Sequence, residues 1–201
     1  SAACFLAGAS IAGGSDMVLA QVGMIPTRTG VIEILRLMGA AIEVLNPRDV
    51  GGEPVADLRV RHALLRGIRI PEEMVPLAID EFPALFVAAA CAEGETVLTG
   101  AAELRVKESD RIAVMADGLR TLGIDAEALP DGTRIRGGRL SGGRLASHHD
   151  HRIAMSFAIA ALRASGEIVI DGCAIVNTSF PGFAELARQA GLRIETAGAT
   201  M

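Results

Sequence analysis

The sequence predicts an α/β domain built from three pseudo-equivalent units, with buried helices inside and mixed sheets around them. Three observations carry that prediction. A run of residues apolar on every side, closed by Gly, recurs three times along the chain. Each run is followed by a short β-branched strand, a loop, an amphipathic helix, another Gly and a second strand. Half of the 201 residues are hydrophobic, and the aromatic residues are six Phe with no Trp or Tyr. The core must therefore be made of Ala, Val, Leu, Ile and Met packed around few rings.

In order, the first copy begins with Phe5-Leu-Ala-Gly-Ala-Ser-Ile-Ala-Gly-Gly and Asp16-Met-Val-Leu-Ala-Gln-Val. A loop with Pro26, a helical run from Gly30 to Gly39 and the strand Ala41-Ile-Glu-Val-Leu complete it. The second copy reads Ala84-Leu-Phe-Val-Ala-Ala-Ala-Cys-Ala-Glu-Gly and Glu95-Thr-Val-Leu-Thr-Gly. A charged stretch, a helix ending Leu119-Arg-Thr-Leu-Gly and Ile124-Asp-Ala-Glu-Ala follow. The third has Ala154-Met-Ser-Phe-Ala-Ile-Ala-Ala-Leu, Glu167-Ile-Val-Ile-Asp-Gly, a helix from Phe183 to Gly191, and the strand Leu192-Arg-Ile-Glu. Gly39, Gly94, Gly123, Gly166 and Gly191 stand where left-handed helix C-caps are needed. The first helix of each copy should be buried. The second should expose Glu33, Arg36, Asp117, Arg120, Glu185 and Arg188 and bury its apolar stripe. Alternating segments Ala56-Asp-Leu-Arg-Val-Arg, Gly67-Ile-Arg-Ile and Thr133-Arg-Ile-Arg suit half-exposed strands. We expect one domain over 1–201, its units spanning roughly 1–70, 71–140 and 141–196.

Composition narrows the function. A net charge of -5 argues against nucleic acid as a partner. No stretch is apolar and long enough to span a membrane, and no secretory signal is visible. Cys4, Cys91 and Cys173 are odd in number, far apart and in apolar surroundings. Buried free thiols in a reducing cytoplasm are the plain reading. The chain starts at Ser1 and enters a helical pattern almost at once, which suggests the interior of a longer protein.

Three loops carry unusual charge. Arg105-Val-Lys-Glu-Ser-Asp-Arg precedes an amphipathic helix that Ser109 or Asp110 can cap. Arg111 then falls in the first turn, where the helix dipole is already positive, so a nearby anion would relieve it. Lys107 and Glu108 stand beside it as possible proton-handling groups. Ile79-Asp-Glu-Phe-Pro precedes a buried helix; Asp80 is either its cap or a functional carboxylate, and Pro83 fits the first turn. His148-His-Asp-His-Arg precedes another. Adjacent ligands on one segment rarely converge on one ion, so no metal is expected; Asp150 suits a cap and Arg152 a second cation at a helix start. Two such arginines suit a phosphate or carboxylate ligand, through arginine's planar fork of donors.

These three segments together resemble the 5-enolpyruvylshikimate-3-phosphate synthase family, from Ser1 to about Glu195. The resemblance implies a domain of three βαβαββ-type units about a pseudo-threefold axis, one of two similar domains that form the active site between them. The chain resembles the domain formed mostly by the C-terminal half. The resemblance also implies a partner N-terminal domain, with its Lys, Ser and Arg loop, Gly-rich loop and ring-holding Ser and Gln, that no segment of this sequence supplies. Pro26-Thr-Arg-Thr-Gly, Asn46-Pro-Arg and Ser179-Phe-Pro-Gly are closer to the glyphosate-tolerant bacterial class than to the enteric and plant type.

The family transfers the enolpyruvyl group of phosphoenolpyruvate to the 5-hydroxyl of shikimate 3-phosphate, without metal or organic cofactor. By resemblance, Asp80 contacts that hydroxyl as proton acceptor and Lys107 contacts shikimate 3-phosphate. Glu108 is the candidate acid for the methylene carbon, and Arg111 and Arg152 grip phosphoenolpyruvate. Two positions depart from the enteric pattern: Thr178-Ser179 stands where a lysine precedes Phe-Pro, and Glu103 where an Asn lies, so neither ligand role is carried over. Such a domain alone is expected to be inactive, because positioning dominates this chemistry. The alternatives are a UDP-N-acetylglucosamine enolpyruvyl transferase domain and a non-catalytic module binding phosphorylated metabolites.

Overall fold

The structure is a computed structural model that describes residues 2–197. Helix α1 (Ala2–Ile11), α4 (Phe82–Ala90) and α6 (His151–Ala160) are the three apolar helices, and they pack against one another at the centre. Every residue of α4 is buried, as are the residues of α1 from Ala3 onward. Neither helix has a water-facing side to fill with charge, which is why both read as unbroken apolar runs.

Among the described residues, three sheets lie around this trio. Strands β1 (Asp16–Gly23), β2 (Ala41–Val50) and β3 (Glu53–Arg61) form an antiparallel sheet in the order β1-β3-β2. Strands β4 (Glu95–Leu98), β5 (Asp125–Leu129) and β6 (Gly132–Arg136) repeat it as β4-β6-β5. The central strand β3 keeps period two: Ala56, Leu58 and Val60 are buried while the intervening residues are not. Strands β7 (Gly143–Ala146) and β8 (Ile168–Asp171) pair in parallel across α6. The chain just before α4 does the same in miniature, with parallel bridges from Arg66 to Glu93 and Arg69 to Val97. The middle of the chain thus reads bridged segment, α4, β4, α5 (Arg111–Thr121), β5, β6, a βαβαββ order.

The amphipathic helices α2 (Pro26–Leu37), α5 (Arg111–Thr121) and α8 (Phe183–Gln189) cover the outside, with Glu33, Arg36, Asp117, Arg120, Glu185 and Arg188 exposed as expected. Short α3 (Val75–Ala78) and α7 (Ala174–Ser179) complete the helices. Phe180 and Phe183 dock that end of the chain on Phe5 of α1, with ring centroids 6.5 and 5.9 Å away.

Several local expectations need correction. Pro26 opens α2 rather than lying in a loop, because proline's missing N–H is no loss in a first turn. Gly67–Ile70 makes only isolated bridges, and Leu192-Arg-Ile-Glu has no strand partner and is irregular. Gly39, Gly94, Gly123 and Gly191 take positive φ, but Gly166 does not. No helix among the described residues is long and apolar enough to cross a membrane.

One glycine sets the distance between the two helices that carry the candidate arginines. A Cβ on Gly118 of α5 would lie 2.3 Å from Cζ of Phe157 on α6, and that ring is fully buried. In Gly118→Ala, better helix propensity contributes about 1 kcal/mol. Overpacking a filled core costs about 1–3 kcal/mol. The second effect should win, lowering the thermal unfolding midpoint by a few degrees at about 2–4 °C per kcal/mol. An unchanged or raised midpoint would mean that the ring yields freely.

Candidate functional site

The starts of α5 and α6 and the turn before α4 meet at one end of the helical trio. Asp110 caps α5, its Oδ1 accepting from the Ala113 N–H at 3.0 Å, and its other oxygen takes Arg105 Nη1 at 2.7 Å. Asp150 caps α6, accepting from the Arg152 N–H at 3.0 Å. It is delivered there by a tight turn in which His148 and His149 both take left-handed backbone angles, an uncommon state for residues with a Cβ. Asp80 does not cap α4: Glu81 holds that position without a side-chain cap bond, and Asp80 lies in the 3₁₀ turn Ile79–Glu81. Its carboxylate is therefore free of backbone duty and turns toward the cations.

Arg111 is the hub. Although charged, it is only 1% exposed, and Asp150 is 0% exposed. Arg111 Nε donates to Asp150 Oδ2 at 2.9 Å and Nη2 to Oδ1 at 3.3 Å, a two-point grip along one edge of the guanidinium. On its outer side Nη1 donates to Asp80 Oδ1 at 3.2 Å and Nη2 to Glu108 Oε2 at 2.5 Å. Three carboxylates thus supply the anion that an arginine at a helix start requires. Losing one partner of such a buried pair typically costs about 3–5 kcal/mol, because the other charge is left stranded.

The remaining predicted residues join the same cluster. Lys107 Nζ is 2.7 Å from Glu103 Oε1 and 3.3 Å from Asp80 Oδ1, so Asp80 Oδ1 faces both Lys107 and Arg111. Arg152 Nη1 donates to the Asp80 carbonyl at 3.0 Å and pairs with Glu81 Oε1 at 2.9 Å, pinning the turn that presents Asp80. All five residues singled out in the sequence, Asp80, Lys107, Glu108, Arg111 and Arg152, are brought together. Sequence reasoning missed the second task of Asp150, and it missed Ser109, whose Oγ donates to Asp150 Oδ2 at 2.8 Å. A buried arginine demands a buried anion, and an Asp two residues before the other helix-start arginine was the available signal.

Electrostatics follow from this geometry. Burial alone would raise the Asp80 pKa, but Arg152, Lys107 and Arg111 outweigh it and hold the carboxyl below its ordinary range. Asp150 behaves alike: burial opposes its charge, and the bonds from Arg111 and Ser109 prevail. Hydrogen bonding to Glu103, with help from Asp80, raises Lys107 and keeps it an ammonium ion. Burial and Arg152 push His151 down, leaving its imidazole neutral at neutral pH. The thiols are poor nucleophiles, since burial lifts Cys4 and Cys91 to about 11 and raises Cys173. Side chains of Asp80 and Glu108 remain about half exposed, at 49% and 52%, whereas Arg111 lies beneath them, so a ligand reaches its outer face only by displacing these carboxylates.

Comparison with known proteins places this cluster in context. The model of the EPSP synthase family (3-phosphoshikimate 1-carboxyvinyltransferase) matches residues 1–186. The chain is 71% identical over 195 residues to the 3-phosphoshikimate 1-carboxyvinyltransferase of Methylococcus capsulatus, covering 97% of this chain and 45% of that protein. It is 69% identical to the enzyme of that name from Halorhodospira halophila, covering 98% of this chain and 45% of the relative. A solved EPSP synthase from Acinetobacter baumannii shares the fold with a TM-score of 0.96 and 60% identity, over 98% of this chain and 46% of that one. The chain therefore spans less than half the length of the relatives it matches. With matching fold, sequence and family model, this chain belongs to the EPSP synthase family.

Proposed function

We propose that the chain is the C-terminal-half domain of a 3-phosphoshikimate 1-carboxyvinyltransferase, transferring the enolpyruvyl group of phosphoenolpyruvate to the 5-hydroxyl of shikimate 3-phosphate. The observation that carries this reading is the convergence of Asp80, Lys107, Glu108, Arg111 and Arg152 in one cluster of ion pairs whose outer members, Asp80 and Glu108, are half exposed. The 71% identity to a protein of that name supports it. The three unpaired thiols fit a reducing cytoplasm.

Each group suits a role. Asp80, ionised at neutral pH and half exposed, receives the proton of the attacking hydroxyl. Lys107, held as a cation, takes an anionic group of shikimate 3-phosphate. The outer edge of Arg111, together with Arg152, grips the phosphate and carboxylate of phosphoenolpyruvate. Glu108, bonded to Arg111 at 2.5 Å, stands beside that anion and delivers a proton to the methylene carbon. The hydroxyl oxygen adds to the neighbouring carbon; departure of phosphate and return of one methyl proton to Glu108 then restore the double bond. In the free domain, however, Asp80 and Glu108 occupy the donors that the substrate needs. Opposing cations and a second wall must come from a partner domain, so this chain alone should be inactive.

A chimera tests the reading: this chain replaces the matching segment of the Methylococcus capsulatus relative. It should form enolpyruvylshikimate 3-phosphate, while the purified chain alone shows no turnover; an inactive but folded chimera, or an active lone chain, would contradict the reading. In the chimera, Asp80→Asn should lower kcat by about 10²–10⁴, the range for losing a general base. Arg152→Ala should raise KM for phosphoenolpyruvate more than for shikimate 3-phosphate. Equal effects on both substrates would remove Arg152 from the phosphoenolpyruvate subsite.

A further inference from the structure

Four donors from three directions end on the carboxylate of Asp150. Its Oδ1 accepts from the Arg152 N–H at 3.0 Å and from Arg111 Nη2 at 3.3 Å. Its Oδ2 accepts from Arg111 Nε at 2.9 Å and from Ser109 Oγ at 2.8 Å. One buried side chain thus fixes the start of α6, one edge of Arg111 and the loop between Lys107 and Asp110. It touches none of the half-exposed surface where a substrate would sit. The guanidinium of Arg111 has two unlike sides: an inner edge held by the inaccessible Asp150, and an outer one shared with the accessible Asp80 and Glu108.

We propose that Asp150 is a positioning residue for the reaction, locking the inner edge of Arg111 so that its outer donors meet the anion of phosphoenolpyruvate in a fixed register with Arg152. Its neighbour Ser109 belongs to the same lock. The identity of the bound anion rests on the functional reading above; the two-sided arginine does not.

The capping task and the positioning task separate by substitution. Asn and Ser both cap helices well, so Asp150→Asn and Asp150→Ser keep an acceptor for the Arg152 N–H and lose the anionic grip on Arg111. In the chimera each should lower kcat/KM for phosphoenolpyruvate at least tenfold, while KM for shikimate 3-phosphate stays within about threefold, as expected when a gripping group loses its orientation. Ser109→Ala, which leaves the ion pair in place, should shift the same parameter in the same direction by less. Unchanged kinetics, tighter use of phosphoenolpyruvate, or an equal loss for both substrates would overturn the proposal.

An inactive unsubstituted chimera would instead count against the functional reading, and the lock is then decided on this chain alone. Side-chain NMR should show a slowly exchanging Arg111 Nε–H that stays in place as inorganic phosphate is added, exchanges faster in Ser109→Ala and is lost in Asp150→Asn. A fast-exchanging Nε–H in the unsubstituted chain, or one unaffected by both substitutions, would overturn the lock.

Discussion

A fully buried arginine needs a fully buried anion, and the pairing of Arg111 with Asp150 is the constraint around which this end of the domain is arranged. Neither group is tolerable alone in the interior, so α5 and α6 must approach at one angle and one height. Gly118 against Phe157 permits the approach, and the left-handed pair His148 and His149 turns the chain to deliver Asp150. The apolar trio of α1, α4 and α6 supplies the rigid body on which these features rest. The alanine-rich faces of those helices allow such close packing, since small side chains leave little to separate the backbones.

Charge around the pair is unbalanced in an informative way. Asp80, Glu81, Glu103, Glu108 and Asp150 lie against Lys107, Arg111 and Arg152. In this arrangement each cation already holds a carboxylate. An incoming phosphate must compete with Asp80 and Glu108 for the outer side of Arg111, and only groups contributed from elsewhere can tip that competition strongly. Under the proposed function, this is a physical reason for the domain to bind weakly by itself, and for the two accessible carboxylates to be released to proton transfer only as a substrate arrives.

Much of this was legible in the sequence, for identifiable reasons. Helices buried on all sides read as unbroken apolar runs, and helices buried on one side as stripes; both patterns survive in α1, α4, α2 and α5. The five candidate residues stood out because charges of both signs crowd the starts of these helices, where cations in particular have few structural uses. What the sequence hid were relations between distant segments. Asp150 looked sufficient as a cap, and its bonds to Arg111 and Ser109 cross about forty positions of chain. Asp80 also looked like a cap, until the turn at Ile79–Glu81 moved its carboxylate off the helix axis. The strand expected at Leu192-Arg-Ile-Glu failed because alternation is necessary for a half-buried strand but a neighbouring edge must also be offered.

The most direct test of this account is the ionisation of Asp150, followed through its carboxyl carbon by NMR as pH is lowered. Its folded-state pKa is depressed, so its contribution to stability is present above the ordinary carboxylate value and is lost only as pH falls through the lower folded value. The account predicts that Asp150 remains ionised below about pH 3.9, the ordinary value for Asp, and gains its proton as the domain begins to unfold in acid. Titration at or above that value, in a domain still folded, would mean that Arg111 does not hold this carboxylate and that the site is organised in another way.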